Sequence, residues 1–178
     1  MEGAPVRAGA WLSTGGPEAA PDAVHVRKLA WADIPAVLAL QEASPGAARW
    51  PRGDYERISR TGDTSTPARS CDLNCWVAVQ AQQVKGFLVA RHVADELTIL
   101  NMAVSPDRRR CGIGSQMLEV AVAWGRASGA RMAFLEVRES NAEASAFYAR
   151  QGFAPSGRRK GFYTDPPEDA LLLSRQLT

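Results

Sequence analysis

The sequence predicts a mixed α/β protein in which about four helices flank a sheet of six to seven strands. Three observations predict this class. Short apolar runs of strand length alternate with longer segments that have helical spacing. Two of the runs are joined by a tight turn near Ala81 and Gln82, which indicates a hairpin. A third run leads through a glycine-containing loop into a helix.

These patterns predict the elements in chain order. The expected strands are Val24–Leu29, Cys75–Gln80, Val84–His92, Leu97–Val104, Met132–Arg138, Phe153–Gly157 and Ala170–Gln176. The expected helices are Asp33–Ala43, Asp54–Ser59, one that begins after Gly112 and ends at Gly129, and one that begins at Ser140 and ends at Gly152. The stretch Thr61–Asn74 is polar and is expected to form a loop. Residues 158–163 and 165–167 are expected to link the last two strands, which places Tyr163 in the loop before the last strand.

Length and composition indicate one globular domain. With 178 residues, 46% of them hydrophobic and 22% charged, the chain can bury a core of ordinary size. We expect this domain to span residues 23–178, after a flexible tail at residues 1–22 that is rich in Ala, Gly and Pro and has no periodicity. The net charge of +2 is too small to indicate nucleic-acid binding, and no apolar run has the length of a membrane span.

The cysteine and histidine content predicts a reducing environment and no bound metal. Cys71, Cys75 and Cys111 cannot all pair with one another, and no secretory signal is recognisable, so we expect a cytoplasmic protein. The two histidines, His25 and His92, make a poor zinc site with these cysteines. A monomer is the default expectation.

The stretch Asn101–Arg126 is central to the functional interpretation. An apolar strand end breaks at Ser105-Pro106-Asp107, three arginines follow, and two glycines one residue apart lead into a helix. From Ile113 onward, apolar residues recur at i, i+4, i+7 and i+11, which is one helical face. Such a loop directs free backbone N–H groups and the positive end of a helix dipole toward a ligand, which favours phosphate.

The spacing of this loop decides which kind of phosphate site is possible. A nucleotide-hydrolysing P-loop ends in Gly-Lys-Ser/Thr, and a Rossmann fingerprint needs three glycines and a downstream acidic residue; this loop has neither. What remains is Arg109-x-x-Gly112-x-Gly114. The competing interpretation is a glycine-containing loop beside a solvated basic face, but the preceding strand and the following amphipathic helix favour a phosphate site.

Two further side chains have two interpretations each. Glu136 lies between Leu135 and Val137 in a predicted strand. In a sheet that is packed on both faces, a carboxylate at such a position requires a specific explanation. Taken alone, the pattern slightly favours an outward-facing charge or a salt bridge to a neighbouring arginine. Trp50, beside Pro51 in a predicted loop, either lines a binding groove or packs as an anchor of that loop.

The segment Ser140–Glu143 has the spacing of a capping box, with Ser140 at the N-cap and Glu143 three residues on. This explains both residues without a function, and it leaves Asn141 free on the first turn of the helix. Tyr148, farther along the same helix, would need a hydrogen-bond partner for its hydroxyl if it were a core residue.

Two longer runs carry a resemblance to a known family. Leu135–Phe153 reads LEVRESNAEASAFYARQGF, and Gly157–Ala170 reads GRRKGFYTDPPEDA. Together with the Arg109 loop, which resembles an acyl-CoA pyrophosphate loop, they closely resemble the RimI-type N-terminal acetyltransferases of the GNAT superfamily. The similarity covers about Leu97–Leu173. It implies the GNAT fold, with a twisted and mostly antiparallel central sheet, and acetylation of the N-terminal alanine of a small-subunit ribosomal protein.

The resemblance also implies roles for individual residues. Glu136 would be the general base, and Tyr148 the general acid that protonates the departing CoA thiolate. Trp50, Glu136 and Tyr163 would line the acceptor groove. Acetyl-CoA would be bound by Met102, Ala103, Val104, Arg109, Arg110, Cys111, Gly112, Ile113, Gly114, Ser115, Asn141 and Tyr148. No nucleic acid and no membrane is expected as a partner.

The implied chemistry suits these residue types. An α-amino group has a pKa of about 7.7–8.0 against about 10.4 for lysine, so deprotonating it at pH 7 costs roughly 1 kcal/mol instead of 4 to 5. A carboxylate acting directly or through water is then an adequate base. A tyrosine with an ordinary pKa of about 10 can donate a proton to the thiolate. Cys111 is expected to fill a loop position and not to act as a nucleophile.

Three functions stay open from the sequence. The first is acetylation of a protein N-terminus, which needs a groove for a free peptide end. The second is acetylation of a small amine or a lysine, because the Ala43–Pro51 loop that would shape the acceptor groove departs from the family. The third is an acyl-CoA-binding module without turnover, which Glu136 and Tyr148 argue against, since binding needs only the glycine loop.

Overall fold

The fold is a seven-stranded sheet with four α-helices, seen in a computed structural model that describes residues 23–61 and 71–177. The strands are β1 (His25–Lys28), β2 (Cys71–Gln80), β3 (Gln83–Val93), β4 (Glu96–Val104), β5 (Met132–Arg138), β6 (Ala154–Thr164) and β7 (Pro167–Gln176). Their order is β1-β2-β3-β4-β5-β7-β6. All neighbours are antiparallel except β4 and β5, which are parallel, so the predicted mostly antiparallel sheet is confirmed.

The sheet has a hydrophobic core on each face. The helices are α1 (Ile34–Glu42), α2 (Arg52–Thr61), α3 (Ile113–Ala127) and α4 (Ala142–Arg150). Successive residues of a strand point to opposite faces. On β3, Leu88 packs with α3 and α4, whereas Phe87 packs with α1 and α2. The central strands are therefore covered on both sides.

Helix α3 lies unusually close to the sheet at two glycines. A Cβ at Gly86 would lie 2.9 Å from Met117 Cε, and a Cβ at Gly125 would lie 2.9 Å from Leu97 Cδ2. Both positions therefore exclude larger residues unless α3 moves. This close packing fixes where α3 begins relative to the end of β4, and the glycine loop lies between the two.

The parallel pair β4–β5 opens partway along its length. Four residue pairs join the strands, from Glu96 opposite Met132 to Ile99 opposite Leu135. Beyond them, β4 continues to Val104 and β5 to Arg138 without pairing to each other. The pairing of β4 with β3 also shifts by one residue here, which is a β-bulge and increases the local twist. The sheet is consequently split toward the carboxyl ends of these two strands.

Two segments predicted as connections are strands. Cys71–Asn74 belongs to β2 because its backbone pairs with Ala90–Val93 of β3. Residues 158–164, predicted as a linker, belong to β6 and pair with β7 across an irregularity near Gly161. Tyr163 therefore lies in a strand and not in a loop. The predicted tail at residues 1–22 and most of the predicted 61–74 loop lie outside the described residues. No helix in the described ranges is long and apolar enough to cross a membrane.

Candidate active site

The glycine loop presents unpaired backbone N–H groups at the start of α3. Arg110 (φ +59°) and Gly112 (φ +82°) are left-handed, which turns the chain sharply into the helix. No side chain caps this helix end, and its first backbone bond runs from Gln116 N to Gly112 O at 3.0 Å. The N–H groups of Ile113, Gly114 and Ser115 precede that bond and have no intrahelical partner. This geometry suits an anion, and its use as the predicted phosphate site stays a prediction.

The three arginines before this helix differ in their charge partners. Arg108 lies 3.7 Å from Asp107, and Arg109 lies 4.0 Å from Glu143 of α4. No ion pair of Arg110 is formed within residues 23–61 and 71–177. Arg109 and Arg110, the two that were predicted to bind pyrophosphate, are exposed beside the free N–H groups. Cys111 is also exposed, with Sγ 3.5 Å from Arg109 O.

Strand β4, which was predicted to bind acetyl-CoA at Met102, Ala103 and Val104, has backbone groups that are left unpaired on its β5 side. Met102, Ala103 and Val104 pair with β3 on one side. On the other side β5 has already diverged, because its pairing with β4 ends at Ile99. The backbone N–H and C=O groups along this edge of the split can accept an amide-containing ligand as a strand would. Their use by a cofactor stays a prediction.

Helix α4 packs directly on the glycine loop. A Cβ at Gly114 would lie 3.3 Å from Phe147 Cζ, so the absence of a side chain lets the two helices approach. Gln151, just after α4, donates from Nε2 to Ser115 Oγ at 3.0 Å. The helix that carries Tyr148 is thus held against the predicted phosphate site.

The predicted capping box at the start of α4 is wrong. Asn141 is the N-cap, and its Oδ1 accepts from Ala144 N at 3.0 Å, so it is not free on the first turn. The N–H of Ser140 instead donates to Glu168 of β7. A Cβ at Gly46 would lie 3.2 Å from Asn141 Nδ2, which places this amide beside the loop that follows α1. Its predicted contact with the cofactor arm stays a prediction.

Tyr148 is a buried tyrosine beside the split in the sheet. It is 7% exposed, and its ring packs edge-on against Phe147 and Phe153. No hydrogen bond joins its hydroxyl to another part of the described chain. Burial, and to a lesser degree the negative charge of a deprotonated Tyr163, raise the pKa of Tyr148. The phenol is consequently a neutral proton donor at physiological pH.

Glu136 lies on the sheet face opposite Leu135 and Val137, which are buried in the α3–α4 core. Its side chain is 30% exposed, and its Oε1 lies 2.5 Å from Arg159 Nη1 of β6. The salt-bridge interpretation is therefore correct, while the role of Glu136 as a base stays a prediction. Burial raises the pKa of Tyr163, and the Glu136 carboxylate raises it further, so the two side chains are neighbours.

Arg138 connects the residues around Tyr163, and the sequence reasoning did not identify it as part of the site. Its guanidinium lies 4.1 Å from the Tyr163 ring centroid, and Nη2 donates to Asp165 O at 2.7 Å. Nη1 donates to Glu168 Oε2 at 3.2 Å. The Ser140 N–H and then Arg138 lower the pKa of Glu168. One arginine thereby joins β5, the β6–β7 turn and the entry to α4. In the sequence, its position in the LEVR run at residues 135–138 was the signal that could have identified it.

A second unpredicted set of contacts holds the loop between α1 and α2. Asn101 is 5% exposed, donates to Ala48 O at 2.8 Å and accepts from Ala48 N at 3.1 Å. Gln41 donates to Trp50 O and accepts from Trp50 N and from the Tyr55 hydroxyl. Trp50 is therefore half-buried and anchors its loop. A polar residue in the middle of the apolar strand β4 was the signal for Asn101.

The donor set does not resemble a metal site. Within the described ranges, no group of three or more His, Cys, Asp or Glu side chains is arranged to hold a metal ion. The residues predicted to act in the site are instead an uncapped helix start, an unpaired strand edge and a buried tyrosine.

Comparison with known proteins identifies the family of this chain. The sequence model of the acetyltransferase (GNAT) family matches residues 34–153, and the chain belongs to that family. The chain is 37% identical over 97 residues to the ribosomal protein bS18-alanine N-acetyltransferase of Escherichia coli (strain K12). It is 40% identical over 81 residues to the putative protein of this kind from Bacillus subtilis (strain 168).

The extent of these matches differs between sequence and structure. The sequence match spans 53% of this chain and 66% of the Escherichia coli protein, and 46% of this chain and 54% of the Bacillus subtilis protein. The crystal structure of the ribosomal-protein-S18-alanine N-acetyltransferase from Escherichia coli superposes with a TM-score of 0.70. That superposition covers 88% of this chain and 95% of the other, at 26% identity.

Proposed function

We propose that this protein transfers an acetyl group from acetyl-CoA to the N-terminal α-amino group of a protein, the alanine of the small-subunit ribosomal protein bS18. The proposal rests on three features that we take together as the proposed cleft: the uncapped start of α3, the edge of β4 beyond its pairing with β5, and Tyr148, which Tyr163 links to Glu136. The similarity to bS18-alanine acetyltransferases supports the choice of acceptor.

Acetyl-CoA fits the first two parts of this cleft. Its pyrophosphate would be bound by the free N–H groups at the start of α3, with Arg109 and Arg110 supplying positive charge. Its pantetheine amides would pair with the free edge of β4 beside Met102 and Val104. This placement brings the thioester to the split between β4 and β5, where the buried Tyr148 is the nearest neutral donor.

The transfer requires two proton movements, for which the chain has suitable groups. Glu136 would take a proton from the α-amino group, directly or through water. The amine nitrogen then forms a bond to the acetyl carbonyl carbon, and the carbon–sulfur bond breaks. Tyr148 would donate its proton to the thiolate sulfur and regain one from solvent. Since the pKa of Tyr148 is raised by burial, the hydroxyl starts each cycle protonated.

An α-amino acceptor suits this site better than a lysine. Deprotonating an α-amino group at pH 7 costs roughly 3 to 4 kcal/mol less than deprotonating a lysine. Glu136, the proposed base, is ion-paired with Arg159 and partly exposed. An acceptor that costs less to deprotonate is therefore the better match. We propose that the enzyme works in the cytoplasm, as a single GNAT domain over residues 23–178, as a monomer and without a metal.

The test is CoA release from acetyl-CoA with two peptides. One peptide begins with alanine as bS18 does; the other has the same sequence with a blocked N-terminus and a free lysine. We expect turnover with the first peptide alone, and about 100-fold slower turnover in Glu136→Gln and Tyr148→Phe, in line with the loss of general acid–base catalysis. Glu119→Gln, a change of an exposed carboxylate on α3, should leave the rate unchanged.

Either of two results would contradict the proposal. Turnover with the blocked peptide would indicate a lysine acceptor. Tight acetyl-CoA binding without turnover on either peptide would indicate a small-molecule acceptor or a binding module.

A further inference from the structure

Two residues near the carboxyl end of α4 serve different parts of the proposed site. Tyr148, in the last turn of the helix, is buried in the core between the sheet and α3. Gln151, just beyond the helix, reaches the first turn of α3 and donates from Nε2 to Ser115 Oγ at 3.0 Å. The proposed reaction uses Tyr148, but nothing in it requires a glutamine at position 151.

Gln151 is held in place by its own backbone and by the packing of α4. Its N–H donates to Phe147 O at 3.2 Å and to Tyr148 O at 3.0 Å, which closes the end of the helix. Phe147 is fixed in turn by its close contact with Gly114, one residue before Ser115. The carboxamide therefore reaches Ser115 from a rigid base, and the side chains of both residues are half-buried.

The hydrogen-bond capacity of Ser115 shows what this contact does. A serine hydroxyl has one hydrogen to donate and two lone pairs to accept with. Gln151 occupies one lone pair, so the hydroxyl hydrogen remains available. No hydrogen bond from this hydroxyl to an acceptor is formed within the described part of the chain.

We infer that Gln151 is a positioning residue for acyl-CoA, because its amide orients the Ser115 hydroxyl so that the hydroxyl donates to the pyrophosphate. The inference rests on the proposed use of the glycine loop as the cofactor site. It assigns a specific reason for an amide at this position. A carboxylate there would accept the hydroxyl hydrogen and add a negative charge beside the anion.

The test measures acetyl-CoA affinity by calorimetry without any acceptor. Gln151→Glu should weaken binding by about tenfold or more, since it removes a charge-assisted hydrogen bond and adds repulsion. Gln151→Met, which has a similar length and no donor, should weaken binding by roughly threefold. Gln116→Glu is the matched control: it places the same charge one residue from Ser115 on an exposed side chain, and it should have a smaller effect.

Two further measurements separate positioning from a general structural effect. In a Ser115→Ala background, Gln151→Met should cause no additional loss of affinity, because the residue through which it acts is gone. With acetyl-pantetheine as the acyl donor, which lacks the pyrophosphate, the KM of Gln151→Met should equal that of the parent. Thermal unfolding of each variant checks that the fold is intact, and Gln151→Met alone suffices if Gln151→Glu does not fold.

The outcomes distinguish this inference from the proposed function. If the parent binds acetyl-CoA and both Gln151 variants bind it equally well, the inference is wrong and the proposed function stands. A loss in Gln151→Met that persists in the Ser115→Ala background would also overturn it. Failure of the parent itself to bind acetyl-CoA would overturn the proposed function and this inference together.

Discussion

The cofactor side and the acceptor side of the cleft are built in different ways. The cofactor side consists of β4, the glycine loop and α3, which follow one another in the chain, with α4 packed against them. The acceptor side joins the α1–α2 loop, the end of β5 and the β6–β7 hairpin through polar side chains such as Asn101 and Arg138. One side is a local motif, and the other is assembled across the sheet.

This difference predicts that the proposed acceptor side is easier to alter. On the proposed cofactor side, backbone N–H groups would bind the ligand, so few side chains can be exchanged to change it. On the acceptor side, a loop and a hairpin are positioned by single hydrogen-bonding residues. A substitution at those residues should change acceptor binding while acetyl-CoA binding is preserved. The predictions below test this separation, from the largest expected effect to the smallest.

Arg138→Lys should separate the two sides most clearly. Lysine keeps the charge but loses the planar fork that contacts Tyr163, Asp165 and Glu168 together. We expect kcat/KM for the alanine peptide to fall by about 10- to 100-fold, corresponding to roughly 1.4–2.8 kcal/mol, through a higher peptide KM. Acetyl-CoA affinity should not change. The control is Arg126→Lys, which changes an exposed arginine on α3. If Arg138→Lys weakened acetyl-CoA binding as much as peptide binding, the separation of the two sides would be refuted.

Asn101→Ala should release the loop after α1. It removes both hydrogen bonds to the backbone of Ala48, which should lower the free energy of unfolding by about 1–3 kcal/mol. The peptide KM should rise several-fold because the loop loses its fixed position. Urea unfolding and steady-state kinetics measure the two effects. An unchanged peptide KM in a destabilised variant would mean that the loop does not contact the acceptor.

Asp33→Asn tests, through pH, the ion pair with Arg27 that precedes α1. Burial of Asp33 raises its pKa, but the Arg27 guanidinium and the Ala30 N–H outweigh this and hold the pKa below its ordinary value. A carboxyl group whose pKa is lower in the folded than in the unfolded protein stabilises the fold at pH values above its unfolded pKa of about 3.9. This stabilisation is lost as the pH falls through the folded pKa. Because Arg27 is 41% exposed, the variant should lose only about 1 kcal/mol at pH 7. The gap between parent and variant should narrow in urea titrations as the pH falls below the unfolded value of about 3.9; a constant gap would exclude the ion pair as its cause.

Gly53→Ala should have the smallest effect and the opposite sign. Gly53 lies in α2, and a Cβ there would meet nothing within 4 Å. Alanine should raise the free energy of unfolding by about 0.5–1 kcal/mol through helix propensity. Activity should not change, because this part of α2 bears no contact to the cleft. Gly114→Ala is the contrast, since its Cβ would press on Phe147 at 3.3 Å and should weaken acetyl-CoA binding.

The same contrast between local and assembled regions determines how much the sequence could predict. The strand–loop–helix unit around Gly112 was predictable because its residues are contiguous and each obeys a local rule. The cap of α4 was not: Ser140 and Asn141 both suit an N-cap, and the choice is made by Glu168 of β7, which takes the Ser140 N–H. Tyr163 was placed in a loop because the irregular β6–β7 pairing near Gly161 obscures strand periodicity.

The links made by Gln41, Asn101 and Arg138 depend on which strands and loops become neighbours. Each is an ordinary polar residue in the sequence, and their partners Trp50, Ala48 and Glu168 lie 9, 53 and 30 residues away, respectively. A single sequence carries no signal for such pairings unless a polar residue interrupts an apolar strand, as Asn101 does. The chemistry of the site was accordingly easier to predict than the contacts that support it.

The most direct test of the central claim is to locate the acetyl group by tandem mass spectrometry. The full chain would be incubated with acetyl-CoA and a bS18 N-terminal peptide that begins with alanine and contains an internal lysine. We predict one added acetyl group, found on the α-nitrogen of the alanine and absent with Tyr148→Phe at the same time point. Acetylation of the lysine, or of neither amine by a protein that binds acetyl-CoA, would contradict it.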